Sequence, residues 1–161
     1  MARVHTKQRD YDSSLKYLQR MMDLSRQAYG AESEQAGNVH LQMAKIHAKR
    51  RDVALAISDQ TEAQRIYETL EKYQGSDFIA GIATQLSTWQ EQTGQISESL
   101  VNLNKAMEIY EQSYGLEDVR TCKIKRNVAL VYLRGNEFND ALKELKEVEE
   151  LEKLLYGETS A

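Results

Sequence analysis

The segment 106-AMEIYEQSYG-115 opens on a small apolar residue, sets Ile109 three residues on, and closes with Tyr114-Gly115 eight and nine residues on. The chain repeats this arrangement as 21-MMDLSRQAYG-30 and as 148-VEELEKLLYG-157. An apolar pair at helical spacing followed by glycine predicts the last turns of a helix, because glycine adopts the positive-φ backbone that often ends one. Three such endings in 161 residues raise the question of a repeat.

Several columns answer it together. The openings Met21, Ala63, Ala106 and Val148 lie 42, 43 and 42 residues apart. Seven residues earlier, Ser14, Ala56, Ser99 and Ala141 keep the same intervals, and three before those stand Tyr11, Val53, Ile96 and Phe138. A period near 42 held by independent columns marks a repeat architecture. Each unit reads as two helices. The first runs over about 33–49, 77–92 and 118–134. The second covers about Val53–Lys72, Ile96–Ser113 and Phe138–Leu155. Phe138, Ala141, Leu142, Leu145, Val148, Leu151, Leu154 and Leu155 give the last of these an apolar face of period 3.6. Short stretches with acidic or hydroxyl residues ("AESE", "SD", "LED", "ETS") follow the boundary glycines and suit helix starts. The turns "KRRD", "QTGQ" and "RGNE" join the paired helices, with Gly94, Gly135 and Asn136 supplying turn chemistry.

The small residues Ala44/Ala56/Ala63, Ser87/Ser99/Ala106 and Ala129/Ala141/Val148 let paired helices approach closely, and their spacing resembles the tetratricopeptide pattern. The usual unit of that family has 34 residues; the longer unit here, with Tyr-Gly at its boundary and 127-NVALVYLRGNEFNDALKEL-145 as its best match, resembles the repeats of kinesin light chains. The pattern departs from theirs in three ways: no His-Pro-Asp follows the boundary glycine, His47 and Gln90 stand where Tyr132 keeps a tyrosine, and an insertion precedes Gly75. Ciliary, axonemal and regulatory proteins carry repeats of similar length. A HEAT-like array has an overlapping period, and the small-residue columns argue against it. The resemblance implies an all-α, right-handed superhelical solenoid of antiparallel hairpins. Its organisation is a single array: a second helix alone at about 9–30, repeats at about 31–75, 76–115 and 116–157, and the start of another at 158–161. Half-units at both ends imply an excerpt of a longer protein with its caps missing.

Composition limits the function classes. The chain is 29% charged and 41% hydrophobic with net charge −4, contains no proline, and carries one cysteine, Cys122. It fits a folded, cytoplasmic protein without an internal disulfide; no membrane span or secretory leader is visible. His40 and His47 lie seven apart on one helix face with no third metal ligand at suitable spacing, and read as packing. Cys122 reads as a small helical residue, Trp89 as core, and Glu144/Glu147 and Glu149/Glu150/Glu152 as a solvated face. No phosphate-binding loop or nucleophile elbow is present. The expectation is a non-enzymatic protein with no cofactor and no metal site.

In the resembled family the first helices line the concave surface. Helical offset from the packing residues places Asn38, Gln42, Lys45 and Lys49 there in the first complete unit, Gln85, Thr88 and Gln92 in the next, and Lys123, Arg126, Asn127 and Arg134 in the third. This surface is polar and basic, whereas the last helix is acidic. Amide side chains can donate to and accept from a peptide backbone, and basic residues select acidic segments. The resemblance points the same way, since kinesin light chain grooves take acidic cargo peptides. The partner expected is therefore a protein or acidic peptide, with neither nucleic acid nor membrane involved, and uncapped ends would favour self-association. A helical-repeat nucleic-acid reader is the alternative; it needs a basic, aromatic-bearing surface, and the net charge and the lack of an aromatic on the predicted face count against it. A chaperone-type carboxylate clamp does not fit, since Lys123 matches its pattern but Leu41, Lys45, Gln85 and Asn127 do not.

Overall fold

A computed structural model describes residues 2–157, with side chains from 8 to 157. Seven α-helices and one 3-10 turn follow in order, and no strand occurs among the described residues: α1 (Ala2–Tyr29), α2 (Glu34–Lys49), α3 (Val53–Thr69), the 3-10 turn Glu71–Tyr73, α4 (Asp77–Gln92), α5 (Ile96–Tyr114), α6 (Val119–Arg134) and α7 (Phe138–Tyr156). The chain divides into two compact units, Met1–Gln74 and Gly75–Ala161. Within the first, α2 packs on both α1 and α3; within the second, α5 packs on α4 and α6, and α6 on α7. The class is the all-α, tetratricopeptide-like repeat that the columns predict. The further repeat expected from residue 158 lies outside the described residues.

The small-residue columns are where the hairpins close. Ala44, Ala56, Ala63, Ser87, Ser99, Ala106, Ala129, Ala141 and Val148 are all buried. Ser99 Oγ donates to the Ser87 carbonyl at 3.0 Å, so the hydroxyl gains a partner from the facing helix and not from water. A fourth column is Gly37, Ala80 and Cys122, also buried. At Gly37 an added Cβ would come within 2.9 Å of the Tyr67 ring, so this α3 side chain packs directly on the bare α2 backbone. The core of the first unit gathers Leu18, Met22, Ala36, Val39 and Ile66. In the second unit, Ile82, Leu86, Leu103, Ile124, Val128 and Val131 are buried, and Trp89 is the core residue it was expected to be.

Starts and stops follow from local chemistry. Ser33, Ser76 and Asp118 each place a side-chain oxygen on a free amide at the start of α2, α4 and α6. Between first and second helices, three identical turns bond Asp52 N–H to the His47 carbonyl (2.8 Å), Gln95 N–H to Gln90 (2.7 Å) and Glu137 N–H to Tyr132 (2.8 Å). This six-residue bond is the Schellman closure, and it requires a positive-φ residue just before it. Arg51, Gly94 and Asn136 supply that residue. Gly135, expected to share this work, keeps φ −82°; its lack of a side chain serves another need, since a Cβ would stand 3.0 Å from Ile96.

Two boundaries differ from expectation. α1 begins at Ala2, seven residues before Arg9, because nothing between them is a glycine or proline able to stop a helix. α3 ends at Thr69 and not at Lys72: Leu70 turns extended (φ −88°, ψ 113°) and the inserted residues form the 3-10 turn. The boundary glycines behave more strictly than a left-handed cap. Gly115 and Gly157 combine φ 85° and 79° with ψ 174° and 170°, a region essentially restricted to glycine.

The tyrosine of the Tyr-Gly boundary has a role of its own. Tyr114 Oη donates to Asp77 Oδ2 at 2.5 Å, fastening the end of α5 to the start of α4. After the insertion Tyr73 does the same to Glu34. Val119 stands at the corresponding place in the last repeat and offers no acceptor, and Tyr156 is 63% exposed.

Candidate functional site

Asn38, Gln42, Lys45 and Lys49 fall four, three and four residues apart, so α2 presents them as one stripe, and all four are exposed. Opposite them α1 sets Tyr17, Leu18, Met21 and Tyr29. Two hollows of about 480 Å³ and 320 Å³ occupy the α1–α2 seam and share Tyr17, Leu18 and Gln42. One wall is thus amide and cationic, the other aromatic and apolar.

In the second unit the structure brings Gln85, Thr88, Lys123 and Asn127 together around a hollow of about 440 Å³ between α4 and α6. Thr84 and Thr88 donate their hydroxyl protons to their own helix, at 2.8 Å to Ala80 and 3.2 Å to Thr84, which leaves their oxygens as acceptors. Gly81 lines the same hollow, and an added Cβ there would meet nothing within 4 Å. A mid-helix glycine costs roughly 0.5–1 kcal/mol relative to alanine. No packing need accounts for this one; its effect is to leave the helix backbone open to close approach. A smaller hollow of about 110 Å³ brings in Arg134, which pairs with Glu91 across α4 and α6.

The remaining predicted positions are placed differently. Arg126 turns to α7, where it pairs with Glu152, and Gln92 lies exposed as the last residue of α4. Lys125 joins Glu147 at 2.8 Å. The basic first helix and the acidic last helix are therefore partly neutralised against each other. Burial pulls the Lys125 ammonium down, but the hydrogen bond and charge of Glu147 outweigh it and hold the group above its ordinary value. The same bond holds the Glu147 carboxyl below its own, against a smaller upward pull from burial. Among the described residues no ion pair holds Lys123, which is exposed.

Sequence reasoning missed Tyr17, Tyr110 and Arg120. Tyr17 and Tyr110 belong to second helices, yet their rings reach the first-helix hollows. Arg120 lies 4.0 Å over the Tyr114 ring, where the π face attracts its charge. The spacing of Tyr67 and Tyr110, one repeat apart, was the available signal.

The titratable cluster outside these hollows serves packing. His40 Nδ1 lies 3.0 Å from one Asp59 oxygen and His47 Nε2 lies 3.4 Å from the other, joining α2 to α3. Among the described residues no group of three or more histidine, cysteine or acidic side chains has the arrangement to hold a metal ion. No helix of the described residues is long and apolar enough to cross a membrane.

Paired helices with buried small columns and polar first-helix faces define a helical-repeat protein. Residues 1–69 match the tetratricopeptide repeat family model. Residues 1–69 thus carry tetratricopeptide repeats, and the chain shares the fold of kinesin-light-chain-type repeats. Two solved structures carry that likeness. TPR-like kinesin light chain repeats from Podosopora anserina superpose with a TM-score of 0.74 at 14% identity, over 96% of this chain and 73% of that one. BtubC (BKLC) from P. vanneervenii gives 0.63 at 21% identity, over 96% and 60%. Among curated proteins, the clustered mitochondria protein homolog of Kluyveromyces lactis is 35% identical over 115 residues, 70% of this chain and 9% of that protein. The chain thus spans less than a tenth of the length of this relative.

Proposed function

We propose that this chain is a non-enzymatic, cytoplasmic interaction scaffold whose second unit holds an extended acidic peptide between α4 and α6. The observation that carries the reading is the hollow itself. Gly81 leaves room for a peptide backbone, Gln85 and Asn127 can both donate to and accept from it, and Thr84 and Thr88 keep acceptor oxygens. Lys123 supplies positive charge, which steers and selects acidic segments more than it adds raw affinity. Likeness of fold to kinesin light chain repeats supports a protein partner.

The test uses a fluorescent acidic peptide library and one selected binder. Lys123→Glu should weaken binding several-fold, and affinity should fall as salt brings the Debye length below roughly 10 Å. Gly81 separates site from scaffold. Gly81→Ala should raise thermal stability by about 0.5–1 kcal/mol, whereas Gly81→Leu should fill the hollow and abolish binding while the helical circular dichroism persists. A binder indifferent to Lys123→Glu, Gly81→Leu and salt would overturn the assignment.

A further inference from the structure

The α4–α6 seam is longer than the hollow around Gly81. Thr88 and Asn127 also line the smaller hollow of about 110 Å³, which continues the seam to Glu91 and Arg134 near the far ends of the two helices. The Glu91 carboxylate departs from the repeat. One repeat earlier and one later its place is taken by Ala48 and Leu133, so packing does not call for an acid there. Yet the Glu91 side chain is only 15% exposed, while that of Arg134, which pairs with it, is 64% exposed. A carboxylate drawn this far from water needs a cation, and Arg134 supplies one from the rim. Other groups beside it are acceptors. Ser87 and Thr88 both donate their hydroxyl protons to the Thr84 carbonyl, at 2.7 Å and 3.2 Å, which leaves their oxygens to accept from anything in the hollow.

We propose that this end of the seam is a pocket for a lysine side chain of the bound peptide, whose ammonium displaces Arg134 from Glu91. An ammonium carries donors and no acceptor, which suits a carboxylate flanked by hydroxyl oxygens. Arg134 gives way at little cost, because an exposed ion pair contributes little and the freed guanidinium regains water. The proposal rests on the acidic-peptide reading and adds to the ligand a second, opposite charge at a set distance. Lys123 and Arg134 lie 11 residues apart on α6. That is about 16 Å of helix, which an extended chain covers in about five residues. Side chains five apart on such a chain point opposite ways, one toward Lys123 on α6 and the other toward Glu91 on α4. The ligand is thus an extended peptide whose acidic and basic residues stand about five positions apart.

The probes are acetylated, amidated glycine–serine decapeptides carrying one glutamate and, about five residues away in either order, one lysine or a serine in its place. Each is titrated into the isotope-labelled full chain and followed by NMR at the Gln85 and Asn127 side-chain amides. In one order the lysine peptide should bind about fivefold more tightly than its serine counterpart, the size of one partly desolvated ion pair. Glu91→Gln keeps the side-chain shape and should remove that gain. Arg134→Gln removes the competing cation and should enlarge it. A lysine that adds nothing in either order, or a gain that survives Glu91→Gln, would overturn the proposal. So would a gain that Arg134→Gln abolishes, since Arg134 would then be holding the ligand itself. If Lys123→Glu still weakens the serine peptide in those cases, the acidic-peptide reading stands without the pocket. If neither peptide binds, both fall.

Discussion

Arg51 holds φ 64° in a turn where the next repeat places Gly94 and the last places Asn136. Left-handed backbone costs a residue with a side chain about 1–2 kcal/mol, and glycine gives back about 0.5–1 kcal/mol through its freer unfolded state. Arg51→Gly should therefore stabilise the chain by about 0.5–1 kcal/mol, measured by urea unfolding. Asn136→Gly should gain less, because asparagine tolerates this conformation better than arginine. Gly94→Ala should lose about 1 kcal/mol or more, and since an added Cβ would meet nothing within 4 Å, the loss would be backbone strain alone. A neutral Arg51→Gly would mean that the turn relaxes without cost. The sequence already showed this turn, because its chemistry is local. The ion pairs of Arg126 with Glu152 and of Arg134 with Glu91 were not legible, since each depends on which face of α6 turns toward a helix far away in sequence.

At the scale of a hairpin, one column explains the substitutions that break the tyrosine pattern. His47, Gln90 and Tyr132 sit one repeat apart on first helices, and Asp59, Asn102 and Glu144 sit one repeat apart on the second helices that face them. His47 approaches Asp59 at 3.4 Å, and Asn102 Nδ2 donates to Gln90 Oε1 at 2.8 Å. A buried polar group left alone costs about 1–3 kcal/mol, so the two columns must change together. His47→Gln and Asp59→Asn should each destabilise the first unit, and the pair together should lose less than their sum, by a coupling of about 0.5–3 kcal/mol. Strict additivity would show the column to be incidental. The match is incomplete in two places: His47 Nδ1 in the first hairpin and Glu144 Oε2 in the last are buried without a hydrogen-bond partner. Burial, and then the charge of Glu147, raises the Glu144 carboxyl above its ordinary value. Its charged form is therefore the unfavourable one in the folded state, and this penalty appears as pH rises through the raised value. Glu144→Gln, an amide like Asn102, should raise the melting temperature at neutral pH. The gain should shrink as acid neutralises the wild-type carboxyl. The period and the small columns made the hairpins legible, whereas the end of α3 was not, because the insertion before Gly75 changes local turn geometry without disturbing the apolar spacing.

Across the whole molecule, burial is uneven in a way a repeat protein converts into uneven stability, because each repeat is held mainly by its neighbours. α4 buries eight of its 16 residues, while α7 buries only Ala141 and Val148 of its 19. Leu142, Leu145 and Leu154 are 53%, 37% and 66% exposed on α7, although Leu103, one repeat before Leu145, is 1% exposed in α5. Apolar burial stabilises by roughly 25 cal/mol per Å², so α7 has far less holding it than the helix that repeats its pattern. Native-state hydrogen exchange should show α7 amides opening at a lower free energy than those of α4 and α5 within the same unit. Lys125 and Glu147 tie α6 to α7, and the folded Glu147 carboxyl is held below its ordinary value. The stability this adds is present above the ordinary carboxylate range and is lost as pH falls through the depressed value. Acid first relieves the Glu144 penalty on the same helix. Protection of α7 should therefore fall only as pH drops on through the depressed Glu147 value, with α4 comparatively unaffected. Glu147→Gln should reproduce the Glu147 loss at neutral pH. Equal protection in α4, α5 and α7, unchanged by Glu147→Gln, would show instead that the unit opens only as a whole.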